Sequence, residues 1–236
     1  PELERLIGCE QDPEWHPEGD VWEHTKLCLD AFARRRLGDR DEDLVVGLAV
    51  TCHDFGKPAT TRFDPAKERI RSLGHDEEGV APTLSFLRRL TNEERLLKEV
   101  PPLVKNHMRP YAMWKSKAKD SAIRRLARDV VRIDRLIRVA RADEEGHPGG
   151  QTIDGSDSED LVWLATAAER LRIADAAPKP ILMGRHLVEM GYKPSVQFKL
   201  WLDACFEAQL DGAFADLDGA LAYFRKYCNN QASRGQ

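Results

Sequence analysis

The sequence predicts an all-α protein, a helical bundle with a small helical extension at its C-terminal end. Three observations carry this. Helix start and stop signals recur along the chain. Residues 121–141 repeat apolar side chains at helical spacing. Val, Ile and Thr nowhere alternate convincingly with polar residues, so no strand is expected.

The elements follow in order. Asp20 and Glu23 have the spacing of a helix cap and its capping-box partner, so a helix is expected over 20–36, stopped by Gly38. A second helix is expected over 41–54. Its run from Leu44 to Val50 has almost no polar face, which makes it central and buried, and Gly56-Lys57-Pro58 ends it. Residues 58–73 read as a polar connector. A third helix is expected over 75–90, and a fourth over 93–107, kinked or split by Pro101-Pro102. Over 121–141, Ile123, Leu126, Val130, Ile133, Leu136, Ile137 and Ala140 share one side at about 100° per residue. Arg124, Arg128, Arg132, Arg135 and Arg138 line the other. Residues 146–159, rich in Gly, Ser and Asp, read as a loop, a lid or a linker. Further helices are expected over 158–174, 183–190, 195–209 and 217–227, with a stiff break at Pro178-Lys179-Pro180.

The balance of 42 % hydrophobic and 32 % charged residues in 236 suits a globular chain with a real core. A membrane helix needs about 18 consecutive apolar residues, and no run approaches that. The net charge of -4 argues against a protein that coats nucleic acid broadly, though not against a local basic patch. The five cysteines are scattered, without a C-x-x-C pair, and read as reduced thiols of a cytoplasmic protein. The chain opens at Pro1, so it reads as a processed product or a piece of a longer protein.

The residues that carry chemistry are His24, His53, Asp54, His75, His107 and Asp143. Neutral imidazole and ionised carboxylate are natural ligands for a divalent metal that keeps water positions open. Their expected places on different helices would let a bundle converge them. His53-Asp54 closes an otherwise apolar helix, where a carboxylate without a positive partner is costly. His16, His147 and His186 read as structural or exposed histidines.

Cys52-His53-Asp54-Phe55-Gly56-Lys57-Pro58 with Thr61 resembles the signature of the HD superfamily of metal-dependent phosphohydrolases. That family's pattern is a His, a His-Asp pair and a distant Asp. His24, His53, Asp54 and Asp143 match it, and His75 and His107 fall where binuclear members add two more His. The stretch from Gln11 to Thr25 is similar to the start of the HD domain in bacterial CCA-adding tRNA nucleotidyltransferases. So are Gly74-His75-Asp76-Glu77-Glu78-Gly79, Asn106-His107-Met108, Arg141-Ala142-Asp143, Gly184-Arg185-His186-Leu187 and Gly191-Tyr192-Lys193-Pro194-Ser195. Two departures stand out. The Gly-Ser and Asp-x-Asp motifs of a polymerase head are missing, so nucleotide addition is not expected. Glu144-Glu145-Gly146-His147 follows Asp143 where the family more often has Gly-Arg.

The resemblance implies an HD domain over 1–150 with a helical extension over 151–236 packed on it. It implies hydrolysis of 2′,3′-cyclic phosphates and phosphomonoesters of nucleotides or RNA ends. The implied cofactor is one or two divalent ions: Mn, Ni, Co, Fe, Zn or Mg. The implied partners are a nucleotide or RNA 3′-end, tRNA among them, and a second copy of the chain, but no membrane. Asp54 would ligate the metal and orient the attacking water. Lys57 would meet the phosphate, the plain alternative being a solvated lysine at a helix end. Thr61, Arg62 and Arg109 are candidates for further phosphate contacts, against an ordinary exposed role. The Arg stripe either tracks an RNA backbone or pairs with acidic neighbours. Trp15, Trp22, Trp114, Trp163 and Trp201 read as core or domain-junction residues, Trp114 alone with the alternative of a base-stacking platform. The competing readings are a non-catalytic RNA-binding or dimerising tail of a nucleotidyltransferase, and an HD nucleotidase acting on free nucleotides.

Overall fold

The first helix begins where Asp20 leaves the extended conformation and its carboxylate accepts from the Glu23 backbone N–H at 2.9 Å. Its other oxygen accepts from the N–H of Gly8, tying the N-terminal segment to the cap. This helix is α1, Val21–Arg34. Asp39 caps α2, Arg40–Cys52, through the N–H groups of Asp41 and Glu42. There follow α3 (Lys57–Thr60), β1 (Thr61–Asp64), β2 (Arg69–Ser72), α4 (His75–Glu78), α5 (Val80–Leu90), α6 (Glu94–Asn106) and α7 (Arg109–Lys115). The chain continues with α8 (Asp120–Val130), α9 (Ile133–Gly146), α10 (Glu159–Leu171), α11 (Gly184–Glu189), α12 (Val196–Leu210) and α13 (Leu217–Ala232). The computed structural model describes residues 1–148 and 156–232, so residues 149–155 of the Gly/Ser/Asp-rich loop lie outside the described residues. Among the described residues the protein is all-α apart from one small hairpin.

The chain divides into two compact units. The first comprises residues 1–118 and 126–177, the second 119–125 and 178–236. The border expected at residue 150 therefore falls after residue 177. The reason is α10, whose buried Leu161, Leu164 and Ala168 belong to the first unit, where α10 packs on α7 and α9. In that unit α2 is central. It buries Val45, Val46, Ala49 and Val50 and packs against α1, α6 and α9. The second unit has its own core of Leu182, Leu187, Cys205, Phe214 and Phe224. Trp201 packs there as expected of a core aromatic, its ring 5.6 Å from that of Phe224.

Four local expectations are corrected. Helix α2 ends at Cys52, and Pro58 stands in the first turn of the short α3 instead of closing α2. The connector holds an antiparallel hairpin, with Thr61 opposite Ser72 and Phe63 opposite Ile70. Its strands are four residues long and neither face is buried, so no alternation marks them. Pro101 and Pro102 lie inside a single helix, α6. The helix expected over 121–141 breaks at Val131, which adopts φ 64°, and α9 starts afresh at Ile133. A β-branched residue in that conformation is strained and is held only by its surroundings. Here the Asp134 N–H turns to the Ala174 carbonyl at 3.1 Å, and the Arg132 guanidinium pairs with Asp134.

Two glycines permit the approaches that matter for the site. A Cβ at Gly146 would lie 2.3 Å from the Cys28 sulfur, so α9 can press on α1 only with glycine there. A Cβ at Gly56 would lie 2.0 Å from the His75 carbonyl oxygen. Both contacts are with buried or backbone atoms that have little room to move. Gly56→Ala should therefore destabilise the fold by about 1–3 kcal/mol, the usual range for overpacking. Chemical denaturation checks this, and an unchanged midpoint would contradict the close approach.

Candidate metal centre

Three histidines are set by the same local device. The last carbonyls of a helix have no partner within it. His53 follows the end of α2, and its Nδ1–H donates to the Val50 carbonyl at 2.7 Å. His107 follows the end of α6, and its Nδ1–H donates to Val104 at 2.6 Å. His75 opens α4 and donates to Ser72, the last residue of β2, at 2.7 Å. In each case the bond reaches three residues back and turns Nε2 toward a common interior. His24, in α1, is held differently. Its Nδ1 meets the Glu18 carboxylate at 2.8 Å. Orienting acceptors behind each ring are the arrangement that supports metal-ligating imidazoles.

The carboxylates come from two directions. Asp143 lies on α9 one turn before Gly146, and His24 lies on α1 one turn before Cys28. The close approach at that glycine sets His24 Nε2 2.9 Å from Asp143 Oδ1. Asp54 follows His53 in the turn after α2. Its Oδ2 is 3.3 Å from His53 Nε2 and 3.9 Å from His24 Nε2, while its Oδ1 is 3.5 Å from His75 Nε2. Asp54 thus faces two groups at once. In one, His24, His53 and Asp143 gather beside Cys28. In the other, His75 and His107 gather with Asp54. Within each group the ligand atoms lie within 4.8 Å of one another.

These groups fit a cation on the chemistry of their atoms. His53 Nε2 is buried without a hydrogen-bond partner, and the buried Asp54 Oδ2 is met by the ammonium of Lys57, at 2.8 Å. His75 and His107 point Nε2 at each other across 3.2 Å. Each has spent its Nδ1–H on a carbonyl, so with both rings neutral the two Nε2 lone pairs would face each other. A shared proton or a cation relieves that contact.

The electrostatics express the same demand. Burial works against charge on Asp54, but His53, Lys57 and His75 hold its carboxyl well below the usual range. Burial likewise opposes charge on Asp143, and its hydrogen bond to His24, with His53 close by, overcomes it and holds the carboxyl well below the usual range. Burial opposes protonation of His24, but Asp143, Cys28 and Glu18 push it up to about 11. Burial, with the charges of His75 and His53, pushes His107 down to about 4, which leaves its ring neutral.

A cleft of about 410 Å³ opens over the site. Asp54, Lys57, His75, His107 and Asp143 line it, while His24 and His53 stand behind, fully buried. Lys57 is not a solvated helix-end lysine. Its side chain is buried, with Nζ 2.8 Å from Asp54 Oδ2 and 2.6 Å from Gln11 Oε1. Thr61, Arg62 and Arg109 are not among the lining residues. Thr61 bonds Ser72 across the hairpin at 2.8 Å, and Arg62 donates to the carbonyls of Ala59 and Thr61. Arg69 and Arg71, on β2, line the cleft instead.

Several residues at the site carried no sequence signal of their own. His16 shares the Glu18 carboxylate with His24 at 2.9 Å, and the His16 ring lies 4.6 Å from that of His147. Both histidines, read from the sequence as structural or exposed, line the cleft. Only the chain's density of His and acid over 16–24 hinted at this. His186 keeps its structural role, accepting from the Met183 N–H at the start of α11. Trp15, read as a core or domain-junction residue, is 59 % exposed and lines the cleft. The Arg stripe is engaged in ion pairs: Arg135 with Glu42 and Glu99, Arg138 with Asp43, and Arg132 with Glu42 and Asp134. Among the described residues all five cysteines are free, and no helix is long and apolar enough to cross a membrane.

Known proteins place the chain among relatives of one name. It is 35 % identical over 157 residues to the Multifunctional CCA protein of Laribacter hongkongensis, a match covering 63 % of this chain and 36 % of that protein. It is 30 % identical over 181 residues to that of Stenotrophomonas maltophilia, covering 74 % and 42 %. It is 29 % identical over 183 residues to that of Xanthomonas euvesicatoria, covering 75 % and 42 %. The chain is thus related to the CCA proteins, as its motifs suggested, and spans about two fifths of their length or less. No family model matches it.

A ligand that binds only the folded state raises stability by mass action, about 2.7 kcal/mol at a hundred times its dissociation constant. Titration with Mn²⁺ should accordingly raise the melting temperature. Glu18→Gln leaves the imidazole of His24 without its carboxylate and should weaken the metal about 10- to 100-fold. A melting curve indifferent to Mn²⁺, Co²⁺, Ni²⁺ and Zn²⁺ alike would rule the centre out.

Proposed function

We propose that this chain is a metal-dependent phosphohydrolase of the HD superfamily, acting on 2′,3′-cyclic phosphates and phosphomonoesters of nucleotides or RNA ends. One observation carries the reading. Six residues matching that family's pattern turn their ligand atoms inward on one buried region, at the base of an open cleft. The ligands would be His24, His53, Asp54 and Asp143 for a first ion and Asp54, His75 and His107 for a second. Asp54 is the natural shared ligand, because its two oxygens face the two groups. Mixed imidazole and carboxylate ligands suit Mn, Fe, Co, Ni or Zn, with Mg less favoured by so many nitrogens. A bound divalent ion supplies a Lewis acid and lowers the pKa of water.

The chain's own groups do the rest. Lys57 is preorganised, its ammonium held between Asp54 and Gln11 at the edge of the cleft. A phosphate oxygen brought there meets a positive charge in a partly water-excluded site, where such a contact counts for more than in bulk water. Asp54 accepts hydrogen bonds and can orient a water molecule for attack on phosphorus. The resemblance to CCA-adding tRNA nucleotidyltransferases favours an RNA 3′-end, tRNA among them, as the source of the ester. The Arg stripe does not favour a purely RNA-binding tail, because the guanidinium groups of Arg128, Arg132, Arg135 and Arg138 meet carboxylates of this chain.

The metal-loaded chain should hydrolyse adenosine 2′,3′-cyclic phosphate or a phosphomonoester, followed by release of product. If it hydrolyses neither, the enzymatic reading fails. Asp54→Ala should remove metal and activity together. Lys57→Ala should leave metal content unchanged and lower kcat by roughly 10²- to 10³-fold, as for loss of one transition-state donor. Metal analysis on the purified variants separates the two effects.

A further inference from the structure

The cleft has a second end that the metal-binding residues do not use. Trp15 stands there, 59 % exposed, although a tryptophan of a folded chain is on average well buried. It is held in place. The Asp12 carbonyl accepts from the N–H groups of Trp15 at 3.2 Å and His16 at 2.8 Å, and the Asp12 carboxylate accepts from the N–H of Glu14 at 3.0 Å. The other oxygen of that carboxylate takes the Nε–H of Arg69 at 2.9 Å. Arg69 in turn sets its guanidinium 5.5 Å from the centre of the indole. One buried aspartate therefore fixes both the turn that carries the ring and the cation beside it. Nearby, Leu73 and Met108 line the same cleft with exposed apolar surface, 67 % and 43 %.

The two ends are adjacent in the chain. His16, next to Trp15, has its ring 4.8 Å from that of His24. A ligand suited to this cleft has an anionic end for Lys57 and the buried cluster, and a flat, largely apolar end for the indole. A nucleoside phosphate has that shape and polarity, whereas a simple alkyl phosphate has only the first half.

Resting on the phosphohydrolase reading, we infer that the cleft selects nucleoside phosphates by stacking the base on Trp15, with Arg69 beside the ring. Trp15 and Arg69 are then specificity residues and take no part in bond cleavage. Stacking of a base on an aromatic side chain corresponds to roughly 5- to 150-fold in affinity.

The test uses equilibrium binding to the Mn²⁺-loaded chain, so that turnover is not needed. One probe is an adenosine 3′-methylenephosphonate, whose P–C bond resists hydrolysis. The other is ethylphosphonate, which has no base. The wild type should bind the adenosine probe more tightly by the factor given above. Trp15→Ala should erase most of that preference and leave ethylphosphonate binding unchanged. Trp15→Phe should keep most of it. Equal affinity of the wild type for both probes overturns the proposal, as does a loss in Trp15→Ala that affects both probes alike. If every phosphate ester proves stable in the presence of the chain while the base-dependent preference persists, the hydrolase reading falls and the stacking site stands.

Discussion

A carboxylate buried as fully as that of Asp54 must be met by positive charge, and the first unit is organised around meeting it. The residue follows the central apolar helix, where water cannot solvate it. Lys57 reaches it from the next turn, His53 stands beside it, and His24 and His75 approach from elsewhere in the chain. Leaving such a group unmatched costs far more than an ordinary surface contact returns. The folds of the chain that make the match, at Gly56 against His75 and at Gly146 against Cys28, are consequences of that demand.

The ion pairs of α9 serve the same end at a distance. Arg135 grips Glu42 with two nitrogens and reaches Glu99 on α6. Arg138 takes Asp43 beside it. Buried pairs of this kind seldom add much net stability, because desolvation offsets attraction. Their use is orientation: they fix the rotation of α9 relative to the start of α2. With that rotation fixed, Asp143 faces inward, two turns beyond Arg135.

The sequence made the helices legible where their signals are local, as with the Asp20 cap and the apolar run of α2. It misled where tertiary contacts override local preference. The break at Val131 lies inside an unbroken apolar stripe, because the reason for it is an N–H turned toward Ala174 far along the chain. The hairpin was hidden because its strands are short and half-exposed on both faces. The six residues that gather in this region were legible as candidates because each residue type carries its chemistry and their order resembles that of the HD superfamily. Glu18, His16 and His147 were not, because only the fold shows that they surround His24. Lys57 was visible as a charge, but its burial was not.

Three of the four imidazoles in the candidate ligand set owe their orientation to carbonyl groups of Val50, Ser72 and Val104. A carbonyl is the same whichever side chain its residue bears. Those three positions can therefore drift among relatives without disturbing the rings they aim, and a comparison of side chains would pass over them. His24 alone depends on a side chain, so the supporting shell has a single genetic point of failure, at Glu18.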